Sequence, residues 1–297
     1  MKKRITALLL LLTLSVTSLF ACTSADKSES TSNKSAKTAK STSDKKQELT
    51  PVTLNEVAHS IFYAPMYVAI EKGYFSNEGI ALSLVTGFGA DKTMTAVLSG
   101  TADIGFMGSE ASVYTYNEGA NDYVVNFAQL TQRAGNFLVA REDIKDFKWE
   151  DLKGKKVIGG RKGGMPEMVF EYILKQNQID PASDLTIDQN IDFGSTAAAF
   201  AEDKSDYDYT VEFEPGATNL EKQGKGYVVA SLGTDSGYVP YTAFSAKKSY
   251  IDKHPEVIQG FTNALQKGMD YVASHTPKDI AQSIAPQFKE TTLDTIT

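Results

Sequence analysis

From residue 52 onward, short apolar runs alternate with helix-length amphipathic ones, a spacing that predicts a repeating strand and helix order. Val52–Val57 reads as a strand. Ala64–Lys72 reads as a helix entered at Pro65, where a missing N–H costs nothing, and closed at Gly73. Strand Ile80–Thr86, helix Lys92–Ser99, strand Ala102–Met107, helix Ala111–Glu118 and strand Tyr123–Leu130 follow. Asn136–Arg141 and Val157–Gly160 read as strands, and Met165–Gln176 as a strong helix with Met168, Val169, Tyr172 and Ile173 as apolar positions. An apolar stretch at Leu185–Ile191, a helix over Ser195–Glu202, strand Tyr209–Phe213, a helix opened by Pro215 and strand Tyr227–Leu232 come next. The stretch Val239–Ser245 and a long helix Pro255–Ser274 complete the pattern. Such alternation predicts an α/β fold, its sheet parallel or mostly parallel and covered by helices on both faces.

Open α/β sheets bind ligands beyond the carboxyl ends of their strands, which selects the candidate site residues. His59, Phe62 and Tyr63 lie on the loop after the first strand, Gly87 after the second, and Ser109 and Glu110 after the third. Glu214 follows a later strand, Gly163 and Gly164 precede the helix at Met165, and Tyr241 sits in the stretch Val239–Ser245. Tyr63, with Phe62, is placed to stack on a flat ring, although such aromatics also pack as core. Glu110 and Glu214 each enter a helix, where a carboxylate either meets a ligand or only satisfies the helix dipole. Arg133, Arg161 and Lys162 lie in loops that would receive an anion if they border the same cleft. The run Gly159–Gly164 is not a phosphate loop, because no Gly-Lys-Ser/Thr follows the required spacer. A lone loop histidine such as His59 has too few partners for a metal site, since only His254 and His275 remain.

Charge and cysteine usage narrow the function. The chain carries 30 basic and 37 acidic residues, and residues 51–297 alone carry a net −12, which argues against nucleic acid or anionic lipid as the main partner. Cys22 is the only cysteine, so disulfides and cysteine-based metal or redox centres are excluded from the folded part. No cofactor is implied, no metal site is indicated, and no Ser-His-Asp or Cys-His ordering offers a catalytic residue.

The first residues read as an address. Met1–Arg4 is a positive n-region and Ile5–Phe20 an apolar core ending at Ala21, so 1–21 is expected to be an export signal. Leu19-Phe20-Ala21-Cys22 resembles the bacterial lipobox, which implies lipidation of Cys22. The alternatives are a plain secretory signal or an uncleaved anchor with an incidental cysteine. Residues 22–50, rich in Ser, Thr and Lys, are too polar to bury a core and are expected to form a disordered tether.

Pro65-Met-Tyr-Val-Ala-Ile-Glu-Lys-Gly-Tyr-Phe-Ser-Asn-Glu-Gly79 resembles the first helix of the substrate-binding proteins of ABC importers of the NMT1/THI5-like type. Ser99–Ala111, with its Gly-x-Ala-Asp-Ile turn, and Asp151-Leu-Lys-Gly-Lys-Lys-Val157 extend the resemblance, which covers roughly residues 51–297. It implies a periplasmic-binding-protein-like fold of two discontinuous α/β lobes with a ligand cleft and hinge between them. Lobe 1 would take about 51–135 and 236–297, and lobe 2 about 136–235. Chains of this type usually continue for a few more helices, so a longer native chain is expected beyond Thr297. The resemblance further implies a monomer, lipid-anchored on the outer face of a bacterial membrane, that delivers a small molecule to permease subunits. Members capture thiamine pyrimidine precursors, sulfonates, taurine, nitrate or riboflavin. The acids at Glu110 and Glu214 favour the pyrimidine, whose amino group and ring nitrogens pair with carboxylate edges, and the anions are the alternative. A THI5-type pyrimidine synthase would share the fold but depends on a cysteine-rich iron motif, which this chain lacks.

Overall fold

The computed structural model describes residues 48–297. The expected export signal, Cys22 and nearly all of the expected tether lie outside the described residues. Ten strands form two five-stranded sheets. The first holds β1 (Thr50–Glu56), β2 (Ile80–Thr86), β3 (Ile104–Gly108), β4 (Val124–Thr131) and β10 (Thr242–Lys247), in the order β2-β1-β3-β10-β4. The second holds β5 (Asn136–Ala140), β6 (Lys156–Ile158), β7 (Thr186–Asp188), β8 (Tyr209–Phe213) and β9 (Tyr227–Ser231), in the order β7-β6-β8-β5-β9. Both sheets therefore repeat one topology. Three parallel strands are followed by an antiparallel strand that has crossed from the other sheet, β10 in the first and β5 in the second.

The two-lobed α/β fold agrees with the sequence expectation. What the alternation did not reveal is the reversed direction of β5 and β10. A strand fed directly from the other lobe needs no helical crossover and can enter antiparallel. Because β10 runs backwards, its first residues lie at the same sheet edge as the carboxyl ends of β1 and β3.

Each lobe has its own core. In the first, all five residues of β3 are buried, as the middle of a helix-covered sheet requires. Phe106 stacks on Phe244 of β10, with ring centroids 4.2 Å apart. Helix Ala64–Glu71 buries Met66, Tyr67, Val68 and Ala69 and packs against helix Pro255–Ser274. The second core gathers Leu138, Val157, Phe170, Ile173, Leu174 and Val211 between β5, β6, β8 and helix Met165–Gln176. Phe62 packs against both cores, lying over Gly135 where the chain crosses between sheets. Among the described residues, no helix is long and apolar enough to cross a membrane.

Candidate ligand-binding cleft

Between the lobes, at the carboxyl edges of both sheets, lies a cavity of about 510 Å3. That volume suits a small organic ligand. The first lobe contributes Tyr63, Met94, Gly108 and Glu110 to its wall. The second contributes the loop Arg161–Gly164, Gln189, Asn190, Phe193 and Phe213, and the returning strand brings Tyr241 and Thr242. Tyr63 is held in place edge-on to Phe106, and Phe193 meets Phe213 in a T-shaped pair. Aromatic walls of this kind suit a flat ring.

Glu110 is the charged group set deepest in this wall, 7% exposed. It starts helix Glu110–Asn117, and its carboxylate folds back over Gly108, where a Cβ would occupy the same space. Oε1 accepts the Met165 N–H of the opposite lobe at 2.9 Å. Oε2 is buried without a partner. Burial pushes the carboxyl up to about 7, although its own backbone N–H and that of Met165 pull the other way. Tyr241 and Thr242 line the same cavity, and the Tyr241 hydroxyl is likewise buried and unpartnered, while Thr242 Oγ1 has only the neighbouring Tyr63 hydroxyl beside it.

Of the residues expected from the sequence, the structure brings Tyr63, Glu110, Gly163, Gly164 and Tyr241 to one cavity. It does not bring the other five there. Phe62 is interlobe packing, between Tyr63, Phe213 and Tyr241. His59 bridges Glu56 Oε1 at 2.7 Å and the Gln287 carbonyl at 2.9 Å, clamping the C-terminal segment onto the first lobe. Burial disfavours its charge, but those two acceptors outweigh burial and raise the imidazole. Gly87 is wedged against Asn55 and Thr93. Ser109 donates to the Pro240 carbonyl at 2.8 Å and so ties β3 to the returning chain. The carboxylate of Glu214 caps Thr218, while its carbonyl accepts from Ser60 Oγ and the Ile61 N–H across the hinge. In each case a strand-end position is right for the cleft, but the side chain turns to a hinge or capping partner.

Arg161 and Lys162 do border the cavity, whereas Arg133 donates to the Gly233 carbonyl and covers Tyr238. Arg161 is already engaged. It meets Asp91 of the first lobe at 2.6 Å and Asp192 of the second at 2.7 Å, and Lys92 reaches Asp192 at 2.7 Å. These four side chains alternate in sign across the cleft mouth and latch the lobes together. They are partly exposed, so each pair is worth at most about 1 kcal/mol. Asp192→Asn is therefore expected to weaken ligand affinity by about two- to fivefold and to reduce its dependence on salt, as read by titrations at low and high ionic strength.

Glu212 had no sequence signal. It is 4% exposed on β8, where its oxygens accept the hydroxyls of Thr210 at 2.7 Å and Thr196 at 3.0 Å. Burial outweighs both hydrogen bonds and pushes it up to about 7 from 4.5. A carboxyl raised in the folded state contributes stability that is fully present below about 4.5 and lost as pH rises through about 7. Glu212→Gln should flatten that decline and stabilise the chain at pH 8 by on the order of 2 kcal/mol, as measured by urea midpoints at pH 5 and pH 8.

The family model described as "NMT1/THI5 like" matches residues 61–279. The chain belongs to this family. A Bacillus subtilis (strain 168) protein named "Putative binding protein YtlA" is 51% identical over 253 residues, 84% of this chain and 75% of that one. Among solved structures, the alkanesulfonate-binding protein SsuA from Xanthomonas axonopodis pv. citri, bound to MOPS, is similar with a TM-score of 0.70 at 15% identity, covering 84% of this chain and 82% of its own. The periplasmic nitrate-binding protein NrtA from Synechocystis PCC 6803 gives a TM-score of 0.68 at 16% identity, with 84% and 69% covered. At such identities the likeness establishes the periplasmic-binding-protein fold and leaves the ligand open.

Proposed function

We propose that this NMT1/THI5-like protein is the substrate-binding component of an ABC importer, closing its two lobes on a small heteroaromatic that carries N–H donors. An aminopyrimidine precursor of thiamine fits best. Captured outside the cytoplasm, with the chain anchored through a lipid on Cys22, the ligand would pass to permease subunits. No covalent step is needed, only a higher affinity of the closed state for ligand. The chain has no cysteine beyond Cys22, which disfavours a cysteine-dependent synthase.

One observation carries the choice of ligand. Glu110 lines the aromatic-walled cavity and has a buried carboxyl oxygen without a hydrogen-bond partner. A ligand amino group supplies that partner, while a sulfonate or nitrate would meet like charge once Glu110 is ionised. The anionic reading has its own support in Arg161 and Lys162, which line the same cavity. Arg161, however, is held between two carboxylates.

A thermal-shift screen of the full chain against aminopyrimidines, thiamine, riboflavin, taurine, alkanesulfonates and nitrate tests the proposal. A ligand at about 100 times its dissociation constant adds about 2.7 kcal/mol of stability. Stabilisation by an aminopyrimidine is the expected result. Stabilisation only by the anions would keep the transport role and overturn the ligand.

A further inference from the structure

Buried polar side chains in native proteins nearly always have partners, so those that do not call for an explanation. Among the described residues, five buried side-chain atoms lack a well-formed one, and three of them belong to residues that line the cleft: Glu110 Oε2, the Tyr241 hydroxyl and Thr242 Oγ1, the last with the Tyr63 hydroxyl beside it. The other two belong to the Asn136 amide on β5. Thr242 pairs across the sheet with Gly108, against which the Glu110 carboxylate lies, so Thr242 and Glu110 share one corner of the cavity. Leaving such groups unsatisfied is costly, most of all for a charged one.

Glu110 is the member of this set that can change its role. As a neutral acid its Oε2 donates, and as a carboxylate it accepts. Oε1 stays committed to the Met165 N–H at the start of the opposite lobe's helix, where the positive end of the helix dipole favours the ionised form. Resting on the binding role proposed above, we infer that Glu110 receives a ligand N–H donor on Oε2 and gives up its own proton in exchange, which makes ligand capture proton-linked. A carboxylic acid and a ligand N–H become a carboxylate hydrogen-bonded to that N–H, and one proton passes to solvent.

The surroundings place the exchange near neutrality. Burial holds the free carboxyl up to about 7. Tyr63 from the first lobe's entry helix, Tyr241 from the returning chain and Tyr114 on the same helix all feel the Glu110 charge and are raised, burial being the larger cause for each. The tyrosines therefore stay neutral while Glu110 titrates. Arg161 and Lys162 border the cavity, but Arg161 is neutralised by Asp91 and Asp192. Glu167, on the Met165 helix, is turned to the Gly163 N–H and Gln189.

The consequence is a directional pH response. A donor ligand binds the ionised form, so its affinity rises with pH up to about 7 and then levels, whereas a ligand that accepts from the acid would weaken over the same range. Calorimetry of the full chain with 4-amino-5-hydroxymethyl-2-methylpyrimidine, in pairs of buffers of different ionisation heat, counts the protons exchanged. The probe's own protonation, titrated separately, is subtracted. The expected result is release of close to one proton per ligand at about pH 6 and close to none at about pH 8, with affinity about tenfold weaker at the lower pH. Glu110→Gln keeps its one oxygen for Met165 and turns an NH2 donor toward the ligand's N–H, so it should bind the probe at least about tenfold more weakly and with no proton released beyond the probe's own. Binding to the unaltered protein without proton release overturns this inference and leaves the binding role standing. Failure of the probe to bind at any pH overturns the ligand reading and the inference with it.

Discussion

Replacing Glu110 by alanine is expected to weaken binding of an aminopyrimidine by at least about a hundredfold while leaving the chain folded. Two losses add. The ligand forfeits a charge-assisted hydrogen bond, worth about 1.5–3 kcal/mol, and the Met165 N–H forfeits the acceptor that joins the lobes. The same change should stabilise the unliganded chain at pH 8, because it removes a carboxyl whose burial opposes ionisation. A residue kept for packing would give the opposite pair of results. Loss of affinity in calorimetry together with a higher melting temperature at pH 8 is therefore diagnostic of a binding residue carried at a cost to stability.

Gly268→Ala is expected to be the most damaging single substitution in the first lobe. Gly268 lies on the buried face of helix Pro255–Ser274, where a Cβ would fall on the Pro65 carbonyl oxygen of the facing helix. Backbone cannot yield as a side-chain tip does, so the two helices must separate. Alanine ordinarily gains about 1 kcal/mol over glycine within a helix, but the overlap at this crossing should exceed that gain. A net loss of about 2–4 kcal/mol is expected, a fall in melting temperature on the order of 10 °C. Met269→Ala, at a partly exposed position one residue along, should change the melting temperature little. Equal melting temperatures for the two variants would show that the helix crossing tolerates a methyl group.

Periodicity made the elements legible. Ile80–Thr86, Met165–Gln176, Tyr209–Phe213 and Pro255–Ser274 stand where the apolar spacing put them, because each carries a full apolar face or run with glycine or proline near its ends. Strand direction was not legible, since β5 and β10 are reversed by the lobe they come from and no local residue encodes that. Half of the residues chosen by the strand-end rule line the cavity. The rule places a loop at the cleft but does not orient its side chains, which is why Tyr63 lines the cavity while neighbouring Phe62 packs across the hinge. Thr242 gave no signal because it reaches the cavity only through the reversed direction of β10, which sets it opposite Gly108. The engagement of Arg161 was equally hidden, since Asp91 and Asp192 lie 70 and 31 residues away in sequence.

Selection of a donor-bearing ring through Glu110 is what sets the proposed ligand apart from the anions. Paired calorimetric titrations of the full chain and its Glu110→Ala variant, with 4-amino-5-hydroxymethyl-2-methylpyrimidine and with taurine, test it most directly. The pyrimidine is expected to bind the unaltered chain, the variant to lose it, and taurine to bind neither. Taurine binding with an affinity that Glu110→Ala leaves unchanged or improves would contradict it.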